Sequence, residues 1–214
     1  MKLYGTMKTW SCRCIWALRE LLLHSEIIPV DLTQGQLTDS ELLALNANGR
    51  VPVLEDENGT FWESMAINIY LSKKAGGPLA PQNLVEDALI IQWSIWAVNE
   101  IERPLFIIAA NLSIFPEEAD PEEIAHADRR LDRPLTALEA SPKDDYLIAN
   151  RFTIADLNVA SVLAGARMAN FSLARWPVAD AYLNRCPSRP HAFDPHEVLS
   201  RHPRPPQWVT RVPD

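Results

Sequence analysis

Two predicted helices begin with residues whose types suit the binding of an anion or the chemistry of a thiol. Ser11 and Cys12 open the first helix, and Glu63 and Ser64 open another. The free N–H groups and positive dipole end of a helix attract a carboxylate and lower the pKa of a thiol. However, Ser and acidic residues are also typical of plain helix caps, and a small Cys is typical of a packed core. The residues alone therefore leave both interpretations open.

Three cysteines are present, and their number and spacing argue against disulfides. Cys12 and Cys14 are too close for an ordinary disulfide, and Cys186 makes the count odd. The spacing is not that of a C-x-x-C redox pair, and on a helix Cys14 should point toward the core. The five histidines do not fall at metal-ligand spacing. We therefore expect free thiols in a reducing cytoplasm and no metal site.

The segment up to residue 76 alternates between strand and helix signals. Thr38 to Glu41 form a capping box, residues 56–59 form a hairpin turn, and Gly76-Gly77 ends the last helix. Because a helix joins the first two strands, those strands should be parallel. The predicted order is β-α-β-α-β-β-α, with elements at 1–5, 11–24, 27–32, 38–45, 51–55, 60–62 and 63–74.

Beyond a linker at 77–83, only helices are predicted. Residues 187–214 hold seven of the 17 prolines, so this tail should be irregular and exposed. We therefore expect an α/β domain at 1–76 and an all-helical domain at 84–214. The predicted helices are 84–111 with a bend near Pro104, 121–140 with a cap at Asp120, 153–169, and a short helix from Pro177 that ends before Pro187.

The composition excludes several classes of partner. With a formal net charge of −8 and a pI of about 5.1, the chain is not expected to bind nucleic acid or an anionic membrane. No apolar run approaches the roughly 20 residues that span a bilayer. The first residues lack the apolar stretch of a secretory signal. We expect a cytoplasmic protein whose 214 residues, 47% of them hydrophobic, bury a sizeable core.

Three stretches, in this order and spacing, resemble the cytosolic glutathione transferase family. They are SCRCIWAL at 11–18, NANGRVPVL at 46–54 followed by WESMAI at 62–67, and FTIAD at 152–156. In motif the chain is closest to bacterial members of theta- or delta-like type or to unclassified ones. The resemblance implies a thioredoxin-like N-terminal domain (βαβαββα), an all-α helical bundle domain and a homodimer.

The resemblance also implies that the first domain binds glutathione as a substrate. A cis Val51–Pro52 bond would offer the Val51 backbone to the cysteinyl unit of glutathione, like an added strand. Ser64 and its helix N-terminus would hold the γ-glutamyl carboxylate, and Glu63 would hold the ammonium group. Candidates for the glycine carboxylate are Arg50 and Gln36, and for each an exposed, solvated side chain is an equal alternative.

The resemblance does not assign the thiol activator cleanly. Matching Arg13 to the family's arginine places Thr9 where theta- and delta-like members have a catalytic serine. Ser11 is the second candidate, and a helix N-cap is an equally good interpretation of it. Tyr4 lies near the tyrosine of other classes, but its surroundings differ from theirs. Cys12 would form a mixed disulfide with glutathione if it were reactive, although a packed residue is preferred.

The second substrate is expected between the two domains. Trp93, Trp96, Asn99 and Arg103 follow one another at helical steps and are candidates to line this cleft, and Trp10 would border it from the other side. An aromatic stripe of this kind is also typical of a packed core.

The leading hypothesis is conjugation of glutathione to an electrophilic small molecule. Two alternatives stay open, a glutathione-dependent disulfide reductase or peroxidase and a non-catalytic interaction module. Thr153 and Asp156 form a second capping box with a role in folding. A few residues earlier, Ala149 stands where the family usually has glycine.

Overall fold

A four-stranded mixed sheet forms the first layer of the structure, a computed structural model that describes residues 1–30, 40–141 and 145–195. Its strands are β1 (Lys2–Tyr4), β2 (Glu26–Ile28), β3 (Val53–Asp56) and β4 (Gly59–Trp62). The order in the sheet is β2-β1-β3-β4. As predicted, β1 is parallel to β2, and β3 and β4 form an antiparallel hairpin. Leu3 lies opposite Ile27 on one side and Leu54 on the other, so the centre of β1 is apolar and buried.

Three helices complete the N-terminal part and confirm the β-α-β-α-β-β-α order. They are α1 (Ser11–Glu20), α2 (Ser40–Leu45) and α3 (Ser64–Ala75). Helix α1 ends four residues before the predicted boundary because Leu22 adopts a left-handed φ of 54°. The N–H of Leu23 then turns back to the Leu18 carbonyl oxygen at 2.9 Å. The capping residue predicted at Thr38 lies outside the described residues.

The rest of the described chain is helical, as predicted. Its helices are α4 (Leu84–Trp96), α5 (Arg103–Ala109), α6 (Pro121–Glu139), α7 (Ile154–Met168) and α8 (Pro177–Arg185). A π-helical turn, Ala97–Glu102, joins α4 to α5 and ends two residues before Pro104. Proline has no N–H to donate to the preceding turn, so a wider turn at this place accommodates its ring. The structure thus interrupts the predicted helix with a π-helical turn at this place, and the bend expected near Pro104 stays a prediction.

Helix α7 runs through the middle of the molecule and is buried along almost its whole length. It contacts α1 and α3 of the N-terminal part as well as α4, α5 and α8. One hydrophobic cluster contains Leu3 and Trp16 together with Ile101 and Leu163. The α/β part and the helical part therefore share a core, in which α1 packs against α7.

The predicted capping box at the start of α7 is present. Thr153 Oγ1 accepts from the N–H of Ala155 at 3.2 Å, and Asp156 Oδ2 accepts from the N–H of Thr153 at 2.8 Å. Ala149 and Asn150 adopt φ values of 52° and 48°. Because this left-handed conformation favours glycine, the turn explains why a glycine suits the position of Ala149.

Candidate functional site

The loop between β1 and α1 carries the two hydroxyls predicted to activate a thiol. Gly5 begins this loop with a φ of 141°, and its N–H donates to the Ile28 carbonyl oxygen at 2.9 Å. A Cβ added at Gly5 would lie 1.9 Å from Ser11 Oγ. Glycine is required here by the backbone conformation and by the close approach, which brings the start of α1 against the end of the sheet.

Thr9 Oγ1 is at the centre of the hydrogen bonds in this loop. It accepts from the N–H of Ser11 at 3.3 Å and of Thr6 at 3.4 Å. It also lies 2.9 Å from the Thr6 carbonyl oxygen and 2.8 Å from Ser11 Oγ. Two incoming donors occupy the lone pairs of the oxygen and strengthen the hydroxyl as a donor. The hydroxyl has one proton, which it donates either to the Thr6 carbonyl oxygen or to Ser11 Oγ. A bound thiolate would take the place of that oxygen as the acceptor.

Ser11 is buried and does not cap α1, so the N-cap interpretation is wrong. The N-cap is Trp10, which makes no side-chain cap hydrogen bond, and Ser11 is the first helical residue. The chain already turns at Thr9, whose N–H donates to the Thr6 carbonyl oxygen at 3.2 Å. The Thr9 hydroxyl therefore receives the N–H of Ser11. Of the two predicted activators, half-buried Thr9 is the more open to a ligand.

The other candidate groups near the loop are held in their neutral forms. Cys12 is 1% exposed, and burial raises the pKa of its thiol to about 12. Cys14 points into the core as predicted, and burial raises its pKa as well. The Tyr4 hydroxyl donates to Glu55 Oε2 at 3.1 Å, and burial together with this hydrogen bond raises the pKa of Tyr4. Cys12 is therefore a packed core residue, and the Tyr4 hydroxyl is already hydrogen-bonded to a residue of β3.

The Val51–Pro52 peptide bond is cis, as the resemblance implied. Val51 is half-buried and precedes the paired part of β3. The loop before it is held by Asn46, whose Nδ2 donates to the Arg50 carbonyl oxygen at 2.8 Å. The Arg50 side chain is exposed. The other glycine-carboxylate candidate, Gln36, lies outside the described residues.

Glu63 and Ser64 form the N-terminus of α3, as predicted. Glu63 is the N-cap and has a φ of 69° and a ψ of 116°, values that residues other than glycine rarely adopt. Strain of this kind is often found at functional sites. The Glu63 side chain is exposed, whereas Ser64 is only 8% exposed. The two side chains therefore flank the free N–H groups at the start of α3.

Arg13 connects this site to the helical part, and sequence reasoning missed this role. Its side chain is 2% exposed, and Nη1 donates to Ser64 Oγ at 3.4 Å. Nη2 donates to Glu102 Oε1, which lies 89 residues away. The guanidinium stacks over the Trp10 ring at 4.5 Å, and Trp10 meets Phe106 edge-on at 5.9 Å. No local pattern pairs Arg13 with Glu102, so only the folded chain reveals the contact.

The remaining second-substrate candidates lie along the path from α4 to α5. Trp96 is half-buried and meets Trp93 edge-on, with ring centroids 5.0 Å apart. Asn99 belongs to the π-helical turn and Arg103 begins α5, and both are exposed. Trp10, which is 38% exposed, reaches this part of the helical domain through Phe106.

Residues 1–30, 40–141 and 145–195 contain neither a metal-binding cluster nor a helix that could span a membrane. In these ranges no group of three or more His, Cys, Asp or Glu side chains is arranged to hold a metal. Within the same ranges, no helix has both the length and the apolar character needed to cross a bilayer.

Comparison with known proteins gives matches in both parts of the chain. The family description "Glutathione S-transferase, N-terminal domain" matches residues 1–73, and "Glutathione S-transferase, C-terminal domain" matches residues 103–190. Glutathione S-transferase 1 of Schizosaccharomyces pombe is 36% identical over 156 residues, 70% of this chain and 68% of that protein.

Solved structures of glutathione transferases have a similar fold. Glutathione transferase F7 from Populus trichocarpa superposes with a TM-score of 0.82 at 26% identity, covering 93% of this chain and 99% of that one. Glutathione S-transferase I from maize, solved with an atrazine glutathione conjugate, gives a TM-score of 0.79 at 28% identity. The match covers 92% of this chain and 95% of the maize chain. These fungal and plant relatives do not confirm the predicted theta- or delta-like placement. They do establish that the chain belongs to the glutathione S-transferase family and is an enzyme of that family.

Proposed function

We propose that the chain conjugates the thiolate of glutathione to an electrophilic small molecule. The observation that supports this most directly is the Thr9 hydroxyl, which two backbone N–H groups orient at the start of α1. From the same helix, Arg13 reaches Ser64 at the start of α3. The proposed hydroxyl donor and the proposed carboxylate site thus lie at the starts of two helices that contact each other, α1 and α3, and one bound glutathione needs both.

Glutathione would be held along the edge from β3 to α3. The γ-glutamyl carboxylate would accept from Ser64 and from the free N–H groups of α3, where the helix dipole favours negative charge. Glu63, exposed at the same helix start, would receive the ammonium group. The Val51 backbone would pair with the cysteinyl unit, and Arg50 would attract the glycine carboxylate. Gln36 remains the second proposed residue for binding the glycine carboxylate.

Thr9 would activate the thiol by donating a hydrogen bond to the thiolate. A hydrogen bond to the charged form lowers the pKa of the thiol, and the thiolate is the nucleophile. Ser11 would act indirectly, since its Oγ lies 2.8 Å from Thr9 Oγ1 and is enclosed beside Gly5. We therefore rank Thr9 before Ser11.

The electrophile would bind where Trp10 faces α5. The exposed part of the Trp10 ring offers an apolar surface beside the proposed thiolate. Trp96, Asn99 and Arg103 are the proposed contacts from the helical side. The maize relative was solved with an atrazine glutathione conjugate. By analogy, we propose a small aromatic electrophile for this chain.

A homodimer is part of the proposal. Four apolar side chains of α4 are exposed, and so is Trp62 on the edge strand β4. Exposed apolar side chains of this kind favour an interaction site, and a second copy of the chain would cover them. The α4 side chains are Leu84, Val85, Ile91 and Ile95.

We propose three further assignments from the sequence. They are the cytoplasmic location, the domain limits at 1–76, 77–83 and 84–214, and the theta- or delta-like placement, which depends on Thr9 matching the serine of those members.

A turnover panel tests the reaction class. The purified protein is expected to bind glutathione in calorimetry and to conjugate it to aryl halides, because the site supplies a thiolate and an apolar acceptor surface. The same preparation is assayed with a mixed disulfide of glutathione and with an organic hydroperoxide. Turnover of these two substrates without any conjugation would replace the proposal with a reductase or peroxidase. Binding without turnover of any substrate would instead indicate an interaction module.

A further inference from the structure

Arg13 is a buried cation whose donors are divided between the two parts of the molecule. Nη2 pairs with Glu102 of the π-helical turn, whose side chain is 18% exposed, and Nη1 reaches Ser64 Oγ at 3.4 Å. Nε is buried and has no hydrogen-bond partner among the described residues. Because a buried charge needs a partner, Glu102 is what allows Arg13 to stay at this position.

The contact with Arg13 determines how Ser64 can use its hydroxyl. A serine hydroxyl has one proton and two lone pairs. The Arg13 N–H occupies a lone pair of Ser64 Oγ, so the proton of that hydroxyl is directed elsewhere. Ser64 is the first residue of α3, where the free N–H groups also point outward. The proton and these N–H groups can then converge on one carboxylate.

Two contacts in adjacent turns fix the position of Arg13 relative to the helical part. Glu102 holds the guanidinium, and four residues later Phe106 holds Trp10, which covers the same guanidinium. Residues four apart lie on one face of a helix. Residues of the helical part therefore position Arg13, a side chain of the N-terminal part that contacts Ser64 there.

We propose that Arg13 is a positioning residue that orients the Ser64 hydroxyl toward the carboxylate of glutathione, and that Glu102 of the helical domain holds it in place. This inference rests on the proposed role of Ser64 in binding glutathione. Arg13 does not touch the thiol in this account. Its effect should appear in the affinity for glutathione, with little change in the chemical step.

Arg13→Lys is the informative change. Lysine keeps the charge that pairs with Glu102 but lacks the guanidinium fork, whose two separate nitrogens reach Glu102 and Ser64 in different directions. We expect the Kd and KM for glutathione to rise about tenfold, the loss typical of one hydrogen bond to a charged group. With saturating glutathione, kcat should stay within about twofold of the wild-type value.

The matched control is Arg189→Lys. Arg189 also donates two hydrogen bonds to a glutamate, Glu20 at the other end of α1, and it also stacks on an aromatic ring, that of Phe152. The same substitution there should leave the Kd for glutathione unchanged. A Kd that rises equally in both variants would mean general damage to α1 and would overturn the inference.

A double-mutant cycle tests the route through Ser64. In a Ser64→Ala background, Arg13→Lys should change the Kd for glutathione by less than about twofold, because the hydroxyl it orients is gone. Additive effects, or an unchanged Kd in the Arg13→Lys single variant, would overturn the proposal while leaving the proposed function intact. Wild-type protein that binds no glutathione would overturn both.

Discussion

Replacing Thr9 with valine is expected to lower kcat about 100-fold, in the range found when one donor to a developing negative charge is removed. Valine keeps the shape of the side chain and removes the hydroxyl. The glutathione thiol would then lose the hydrogen bond that favours its charged form, and its pKa would return toward the ordinary thiol value of about 8.5. The loss should therefore be larger at pH 6.5 than at pH 9, where the thiolate forms unaided.

Steady-state kinetics with an aryl halide, run as a pH series, checks this result. The Kd for glutathione should change little, because the proposed binding groups are at Val51 and at the start of α3. Thr9→Ser keeps the hydroxyl and should retain most of the activity. A full loss in Ser11→Ala with normal kcat in Thr9→Val would show that Ser11 is the activator.

Replacing Asp156 with alanine is expected to lower the free energy of unfolding by roughly 3–5 kcal/mol, because several buried donors lose their acceptor together. Asp156 is fully buried and accepts from the N–H groups of Leu147 at 2.9 Å and Thr153 at 2.8 Å. Its carboxylate also accepts from the Thr153 hydroxyl at 3.0 Å and the Tyr182 hydroxyl at 3.1 Å. The carboxylate thus joins the start of α7 to the preceding loop and to α8.

Denaturant unfolding of Asp156→Ala measures this cost, and Asp120→Ala is the matched control. Asp120 caps α6 by accepting from the N–H groups of Glu122 at 2.8 Å and Glu123 at 3.3 Å, but this site is exposed. Water can replace the lost acceptor there, so the control should cost only about 1 kcal/mol. Equal losses in the two variants would show that Asp156 acts as an ordinary cap.

Local signals in the sequence predicted most of the fold. The capping box at Thr153 and Asp156 and the hairpin turn at 56–59 each depend on residues within a few positions of one another. Short-range hydrogen bonding and backbone preference decide such features, so a short window of sequence contains the needed information.

Contacts between distant segments were not predictable in the same way. The Arg13–Glu102 pair requires the shared core to bring α1 against the turn before α5. The N-cap assignment of Ser11 was wrong for a related reason. Gly5 and the β1 end force the chain to turn at Thr9, so Trp10 becomes the cap and Ser11 is enclosed in the core. The spacing of residues in the sequence does not show that Gly5 and Ser11 lie this close together in the fold.

The most direct test of the account is an ultraviolet titration of glutathione bound to the wild-type protein, following thiolate absorbance from acid to alkaline pH. The proposed hydrogen bond from Thr9 predicts that the bound thiol ionises at least about one pH unit below free glutathione. Bound glutathione that ionises at the same pH as free glutathione would contradict the account, because the site would then hold the thiol without activating it.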